Sequence, residues 1–202
     1  MGASFDELLA ARRMCRDFDG TPVPPEVVEA VVRAATRAPS AGNTHALDVV
    51  VLRGDETRAY WDTTLPAGRR GSFPWPGLLR APVLALPYVD PEAYVRRYAE
   101  EDKAHAGLGG STGDWPVPYW FVDGGAAVMA MLLAAADAGL GALLFGQFGH
   151  EEALRARLGV PPGRRALGTV ALGHPGPDAG RRAASAARGR PDLDEVLHHG
   201  RW

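Results

Sequence analysis

The 202-residue chain holds one cysteine, one lysine and almost no net charge, and each scarcity removes a class of function. With Cys15 alone, no intrachain disulfide can form, and a four-cysteine metal site within one chain is excluded. That thiol content fits a reducing compartment, so a cytoplasmic location is expected. The histidines, at 45, 105, 150, 174, 198 and 199, lack metal-ligand spacing with nearby carboxylates, and no metal site is expected. A formal charge of -2 gives no global field to gather nucleic acid or an anionic membrane. Apart from Lys103 every basic residue is arginine, in a chain rich in Ala, Gly and Pro, so an isolated arginine says little about function. No P-loop, G-x-S-x-G or H-E-x-x-H is present. The glycines at 139, 141 and 146 lack the G-x-G-x-x-G spacing and follow a helical pattern, which argues against a dinucleotide fold. The longest apolar run, Ala126 to Ala136, is too short to span a bilayer, and Met-Gly-Ala-Ser-Phe-Asp does not read as a leader. Neither a nucleic acid nor a membrane is expected as partner.

What is present suffices for a packed core: 46% of residues are hydrophobic, and the length suits a single domain over 1–202. Ser4-Phe5-Asp6-Glu7 has capping-box spacing, which predicts a helix from Phe5 to about Arg12. Pro24 and Pro25 open a second helix, with Val27, Val28, Val31, Val32 and Ala35 at helical spacing, ending near Ala38 ahead of Pro39. Asp48 to Arg53 and Pro82 to Val89 read as buried strands. Pro91 to Lys103 reads as an exposed helix, Gly107 to Gly113 as a flexible loop, and Trp115 to Trp120 as an extended aromatic element. Val122 to about Ala138 is the strongest helix, apolar nearly all round and therefore buried, with Gly139 as its C-cap and a buried strand after it. A helix over His150 to Leu158, a central strand over Ala166 to Leu172 and a short helix over Asp192 to Leu197 complete the pattern. Helices and strands in this order suggest an α+β domain with a helix-covered central sheet.

Two short segments carry the chemistry. Arg12-Arg13-Met14-Cys15-Arg16 packs three guanidinium groups into five residues. About one helix later, Ala38-Pro39-Ser40-Ala41-Gly42-Asn43-Thr44 offers small side chains, where a backbone can approach a ligand closely. Together they point to a phosphorylated, planar cofactor, because a guanidinium fork matches a phosphate bidentately. Their order and spacing resemble the flavin-binding signature of the nitroreductase family, in which R-R-S-x-R is followed by A-P-S-x-x-N-x-Q. The glycine-containing stretch at 139–146, the strand-like Ala171-Leu172-Gly173-His174-Pro175 and the late Arg188-Gly189-Arg190-Pro191 also fit that family.

The resemblance implies a nitroreductase-like fold with a mixed or antiparallel sheet, an intertwined homodimer with the Val122 to Ala138 helix as its spine, and FMN at the subunit interface. It implies that Arg12, Arg188 and Arg190 clamp the phosphate, that Arg13 lies along the ribityl and phosphate, and that Arg16 faces the O2/N1 edge of the ring. Pro39, Ser40, Ala41 and Asn43 would contact ring and ribityl, and the backbone at Gly146 and Gln147 would offer an N–H to N5. Two positions depart from the family pattern: Met14 replaces a serine, and His45-Ala46-Leu47 replaces Gln-Pro-Trp, leaving a donor at His45. The family's activity would be ping-pong hydride transfer from NADH or NADPH, through the flavin, to an electron-poor small molecule such as a nitroaromatic or quinone. No protein acid or base is demanded. A metabolite dehydrogenase, a branch that consumes its flavin to make dimethylbenzimidazole, and a flavin carrier without turnover are the alternatives. The segment 54–120, outside the resemblance, is expected to vary and to cover the substrate. Its Phe73, Trp75, Trp115, Tyr119 and Trp120 are either stacking surfaces for an aromatic substrate or core residues under a loop.

Overall fold

The computed structural model describes residues 4–181 and 184–202. Helix α1 (Phe5–Ala11) starts at the capping box: Ser4 Oγ accepts from the Glu7 amide at 3.3 Å, and the Glu7 carboxylate accepts from the Ser4 amide at 2.7 Å. Helix α2 (Pro25–Ala35) buries Val28, Val31 and Ala35. Strand β1 (Leu47–Arg53) leads through α3 (Thr57–Thr64) and the single turn α4 (Ala67–Arg70) to β2 (Val83–Val89). After α5 (Pro91–Tyr98) comes the long helix α6 (Tyr119–Asp137), then β3 (Gly141–Phe145) and α7 (Glu151–Leu158). The chain finishes with β4 (Arg165–Ala166), β5 (Thr169–Gly173) and α8 (Leu193–Val196).

The strands form one sheet in the order β1-β2-β5-β3, with β4 on β2, and every ladder between them is antiparallel. A parallel bridge from Met14 to Ala142 lays the arginine-rich segment along the β3 edge, and this makes the sheet mixed. Strand side chains alternate between two layers, as a pleat requires. Val83 and Ala85 of β2, with Val170 and Leu172 of β5, face α2 and α6. Leu84, Leu86 and Tyr88 face the opposite layer, with Tyr60, Trp61 and Leu154. Pro87 is tolerated in the central strand because its carbonyl, and with it the missing N–H, points at the break between β4 and β5, where Leu167 N–H donates to that carbonyl at 2.9 Å.

Several expectations are corrected. The strand read over Ala166 to Leu172 is two strands, because Gly168 takes φ +114° and runs so close to Phe145 that a Cβ would lie 2.7 Å from its carbonyl oxygen. Helix α5 ends at Tyr98 and is not an exposed helix: Tyr94 and Val95 are buried. The loop at 107–113 is pinned, with Ser111 and Asp114 in a capping box and Trp115 Nε1 donating to the Leu108 carbonyl at 3.0 Å. Tyr119 and Trp120 open α6 and do not continue an extended element. The segment 54–120 cannot all be a variable cover, since it contains the buried central strand β2. Helix α6 is longer than its apolar run suggested, long and apolar enough to cross a membrane, yet it packs between α2 and the sheet. Nor is it buried all round. Gly124, Ala127, Val128, Met131, Leu132 and Ala135 face inward, while Val122, Gly125, Ala126, Met129, Leu133 and Ala136 form an apolar face left exposed or half-exposed.

Candidate functional site

The end of α1 delivers the arginines. Arg12 caps the helix, its amide donating to the Leu8 carbonyl at 2.9 Å, and the chain then runs beside β3, with Cys15 N–H donating to the Ala142 carbonyl at 2.8 Å. Arg12 and Arg13 line a cavity of about 310 Å³ with Leu132, Gly139, Gly141 and Pro175. The Arg12 Nε is buried and, among the described residues, has no hydrogen-bond partner. A buried guanidinium N–H left in that state is costly, and an anion bound by this guanidinium would offset the cost. The next residues are held by Asp17, only 7% exposed: its carboxylate meets Arg80 at 2.6 Å and accepts from the Asp178 amide at 2.8 Å. Gly77 and Gly176 are glycines because a Cβ at either would collide with that carboxylate. Arg16 donates to the Met14 carbonyl at 3.2 Å and lies 5.2 Å from the centre of the Trp75 ring, which Arg181 also approaches, at 4.5 Å. The Cys15 thiol donates to the Asp17 carbonyl, and burial pushes its pKa up, which removes it as a nucleophile at neutral pH.

The second segment folds into a strained loop. Gly42, Asn43 and His45 take φ of +64°, +56° and +50°, conformations that cost the two side-chain-bearing residues. Its backbone is tied down from both flanks: Ala41 N–H donates to Asp123 Oδ2 at 2.7 Å, and Arg97 Nε donates to the Gly42 carbonyl at 2.8 Å. Tyr94 donates to the same Asp123 oxygen at 2.8 Å; burial first, and then that carboxylate, hold its hydroxyl protonated. Pro39, Ser40 and His45 line a small cavity of about 80 Å³ with Tyr94, Asp123 and Gly124. Thus Asp123 is an anchor of the loop.

These two cavities lie against different parts of α6, one at Asp123 to Ala127 and the other at Leu132 and Ala136. At ~1.5 Å per helical residue, Gly124 and Leu132 are roughly 12 Å apart along the axis. Within one chain the two cavities are therefore separate.

A family model described as Nitroreductase family matches residues 9–174. The chain belongs to the nitroreductase family. It is 30% identical over 218 residues to a 4-nitrobenzoate reductase of Nocardioides sp. (strain LMS-CY), covering 95% of this chain and 87% of that protein. Among solved structures it resembles a nitroreductase family protein of Streptococcus pneumoniae TIGR4, with a TM-score of 0.73, 21% identity and coverage of 96% of this chain and 99% of that one. A Desulfovibrio desulfuricans protein solved in complex with FMN aligns with a TM-score of 0.68 at 24% identity, covering 100% and 99% of the two chains.

Within this nitroreductase fold the remaining candidate residues fall into groups. Met14 is half-buried between the two core layers, so its side chain serves packing as well as position. Gly146 follows β3 directly, but the Gln147 side chain turns inward: Nε2 donates to the Gly168 carbonyl at 3.2 Å and to Thr169 Oγ1 at 3.3 Å. Thr169 in turn donates to Tyr60 at 3.1 Å, whose hydroxyl burial pushes up to about 12. Only the backbone of Gln147 is left to face a ligand. Arg188 and Arg190 are exposed, and among the described residues every hydrogen bond made by 184–202 is internal to that segment. Neither Arg188 nor Arg190 lines the cavity at Arg12 and Arg13, so the structure does not bring the expected clamp together there. Trp115 and Trp120, each 7% exposed, pack with Tyr94 and Val89 in a core cluster, which for these two matches the core alternative and not the stacking one. Tyr119 is exposed at the start of α6, and Phe73 and Trp75 are half-buried beside the second core layer. Asp17, Arg97 and Phe148 escaped the sequence reading. A lone carboxylate after an arginine cluster, an arginine in an arginine-rich chain and a phenylalanine in a glycine-rich turn give no periodic or spacing signal.

Proposed function

We propose that the protein is a homodimeric, FMN-dependent oxidoreductase that takes hydride from NADH or NADPH and passes it to an electron-poor small molecule such as a nitroaromatic or quinone. The observation that carries this reading is the pair Arg12 and Arg13 lining one cavity, with the buried Arg12 Nε lacking a hydrogen-bond partner among the described residues, an arrangement that suits a phosphate. FMN held here would supply the two-electron hydride chemistry between nicotinamide and acceptor. The chain's own residues bind and orient. Arg12 and Arg13 hold the phosphate, and Arg16, fixed between the Met14 carbonyl and the Trp75 ring, places a cation at the ring's O2/N1 edge. The strained loop at 39–45 completes the site from a second copy, since within one chain it lies at the other part of α6. Arg188 and Arg190 join the clamp once their segment packs in the dimer. The name of the Nocardioides relative favours a nitroaromatic acceptor.

Rapid mixing of the FMN-loaded protein with each nicotinamide tests the reading. The yellow colour is expected to bleach within the turnover time with NADH or NADPH and to return on adding a nitroaromatic. A protein that stays colourless after incubation with FMN overturns the reading, and one that binds FMN but bleaches with neither nicotinamide is a carrier.

A further inference from the structure

The turn after β3 exposes a side chain that burial would have hidden. Phe148 is 88% exposed, and its φ of +43° lies in the left-handed region that a residue with a Cβ avoids. Gly149, next in the chain, would take that conformation without strain. The ring is nevertheless seated. It lies over Gly146, where an added Cβ would meet three ring carbons at 2.6 to 2.8 Å, so Gly146 is the shelf on which the ring rests. Between them Gln147 points the opposite way, 3% exposed and bonded to Gly168 and Thr169. Two neighbours thus take the reverse of their usual places, the amide inside and the phenyl ring outside. Gln147 holds the backbone that imposes this.

Resting on the flavin reading above, we infer that Phe148 is a specificity-determining residue on the acceptor side, where the free face of its ring stacks planar aromatic acceptors. One face of the ring is on Gly146, within the turn whose backbone is assigned to the flavin ring, and the other meets solvent. A flat acceptor laid against that turn gains an offset-stacked partner at no cost in displaced side chains. Gln147 is a positioning residue for it.

The test uses FMN-loaded protein and the ratio of kcat/KM for 4-nitrobenzamide to that for ferricyanide, an acceptor with no ring to stack. Phe148→Ala is expected to lower this ratio by about threefold to tenfold, chiefly through KM, the scale of one aromatic contact. Phe148→Tyr keeps the ring and should keep the ratio. Gly146→Ala pushes the ring off its shelf and should fall with Phe148→Ala. Phe148→Gly should lower the ratio while raising the melting temperature, because it removes the left-handed strain. A flavin-loaded Phe148→Ala protein with the wild-type ratio overturns the inference alone, as does its dissociation into monomers, which would make Phe148 an assembly residue. Wild-type protein that takes up no FMN overturns the flavin reading and this one with it.

Discussion

Arg12 and Arg16 sit four positions apart but in unlike surroundings, and their substitutions should separate. The buried Arg12 Nε has no hydrogen-bond partner among the described residues, so Arg12→Ala should weaken FMN binding by roughly 1.5 to 3 kcal/mol, the scale of a charge-assisted hydrogen bond. Fluorescence titration of free FMN measures it. Arg16 is already engaged with Trp75 and the Met14 carbonyl, so it acts as a fixed cation. Removing it should lower the reduction potential of the flavin that stays bound, because negative charge developing at the O2/N1 edge loses its partner. Potentiometry of the two variants checks the division, and a shifted potential in Arg12→Ala with none in Arg16→Ala would reverse the assignment. Asp17 tests what holds both. Its carboxylate ties the arginine segment to Arg80 and to the 175–178 turn, so Asp17→Ala should destabilise the fold by about 2 to 3 kcal/mol, less than a fully buried pair because Arg80 is half-exposed. Urea unfolding gives the value. The arginines were legible because their density exceeded even an arginine-rich background. Asp17 was not, since a residue that acts by reaching two distant segments leaves no local pattern.

At the scale of the element, the loop at 39–45 is where a composition of small residues proves to be geometry. Gly42 has φ +64°, and a Cβ there would lie 2.8 Å from the Tyr98 ring. Gly42→Ala should therefore cost about 1 to 2 kcal/mol by the backbone term, with more from the ring contact. Thermal denaturation reads the loss, and FMN affinity should fall with it if this loop faces the cofactor. Local chemistry made the start of α1, the proline-led α2 and the glycine end of α6 readable in advance, since each is written in a few adjacent residues. The break at Gly168 and the burial of Trp115 and Trp120 were not, because they are decided by Phe145, Tyr94 and Val89, far away in the chain. An aromatic run reads the same whether it covers a ligand or fills a core.

Across the whole molecule, the apolar face left on α6 and the separation of the two cavities lead to the same prediction. Val122, Ala126, Met129, Leu133 and Ala136 recur every three or four residues along 19 residues of helix, which makes a continuous stripe about as long as the helix itself. The adjoining α1 shows Phe5, and the segment 184–202 shows Leu193, Val196 and Trp202, none of them covered by the chain's own core. A second copy packed on α6 about a two-fold axis would cover this stripe with itself, since such an interface is self-complementary. It would also carry the 39–45 loop of one subunit toward the arginines of the other. Leu133→Asp puts an uncompensated charge in the middle of that stripe while leaving the inward face untouched. Sedimentation at micromolar concentration should show twice the 21.5 kDa chain mass for the wild type and a single chain mass for the variant. Because each site would draw on both subunits, the variant should lose FMN as it dissociates, while far-ultraviolet circular dichroism stays that of a folded chain. A folded monomer that keeps FMN with wild-type affinity would place the whole site within one chain and remove the reason for the dimer.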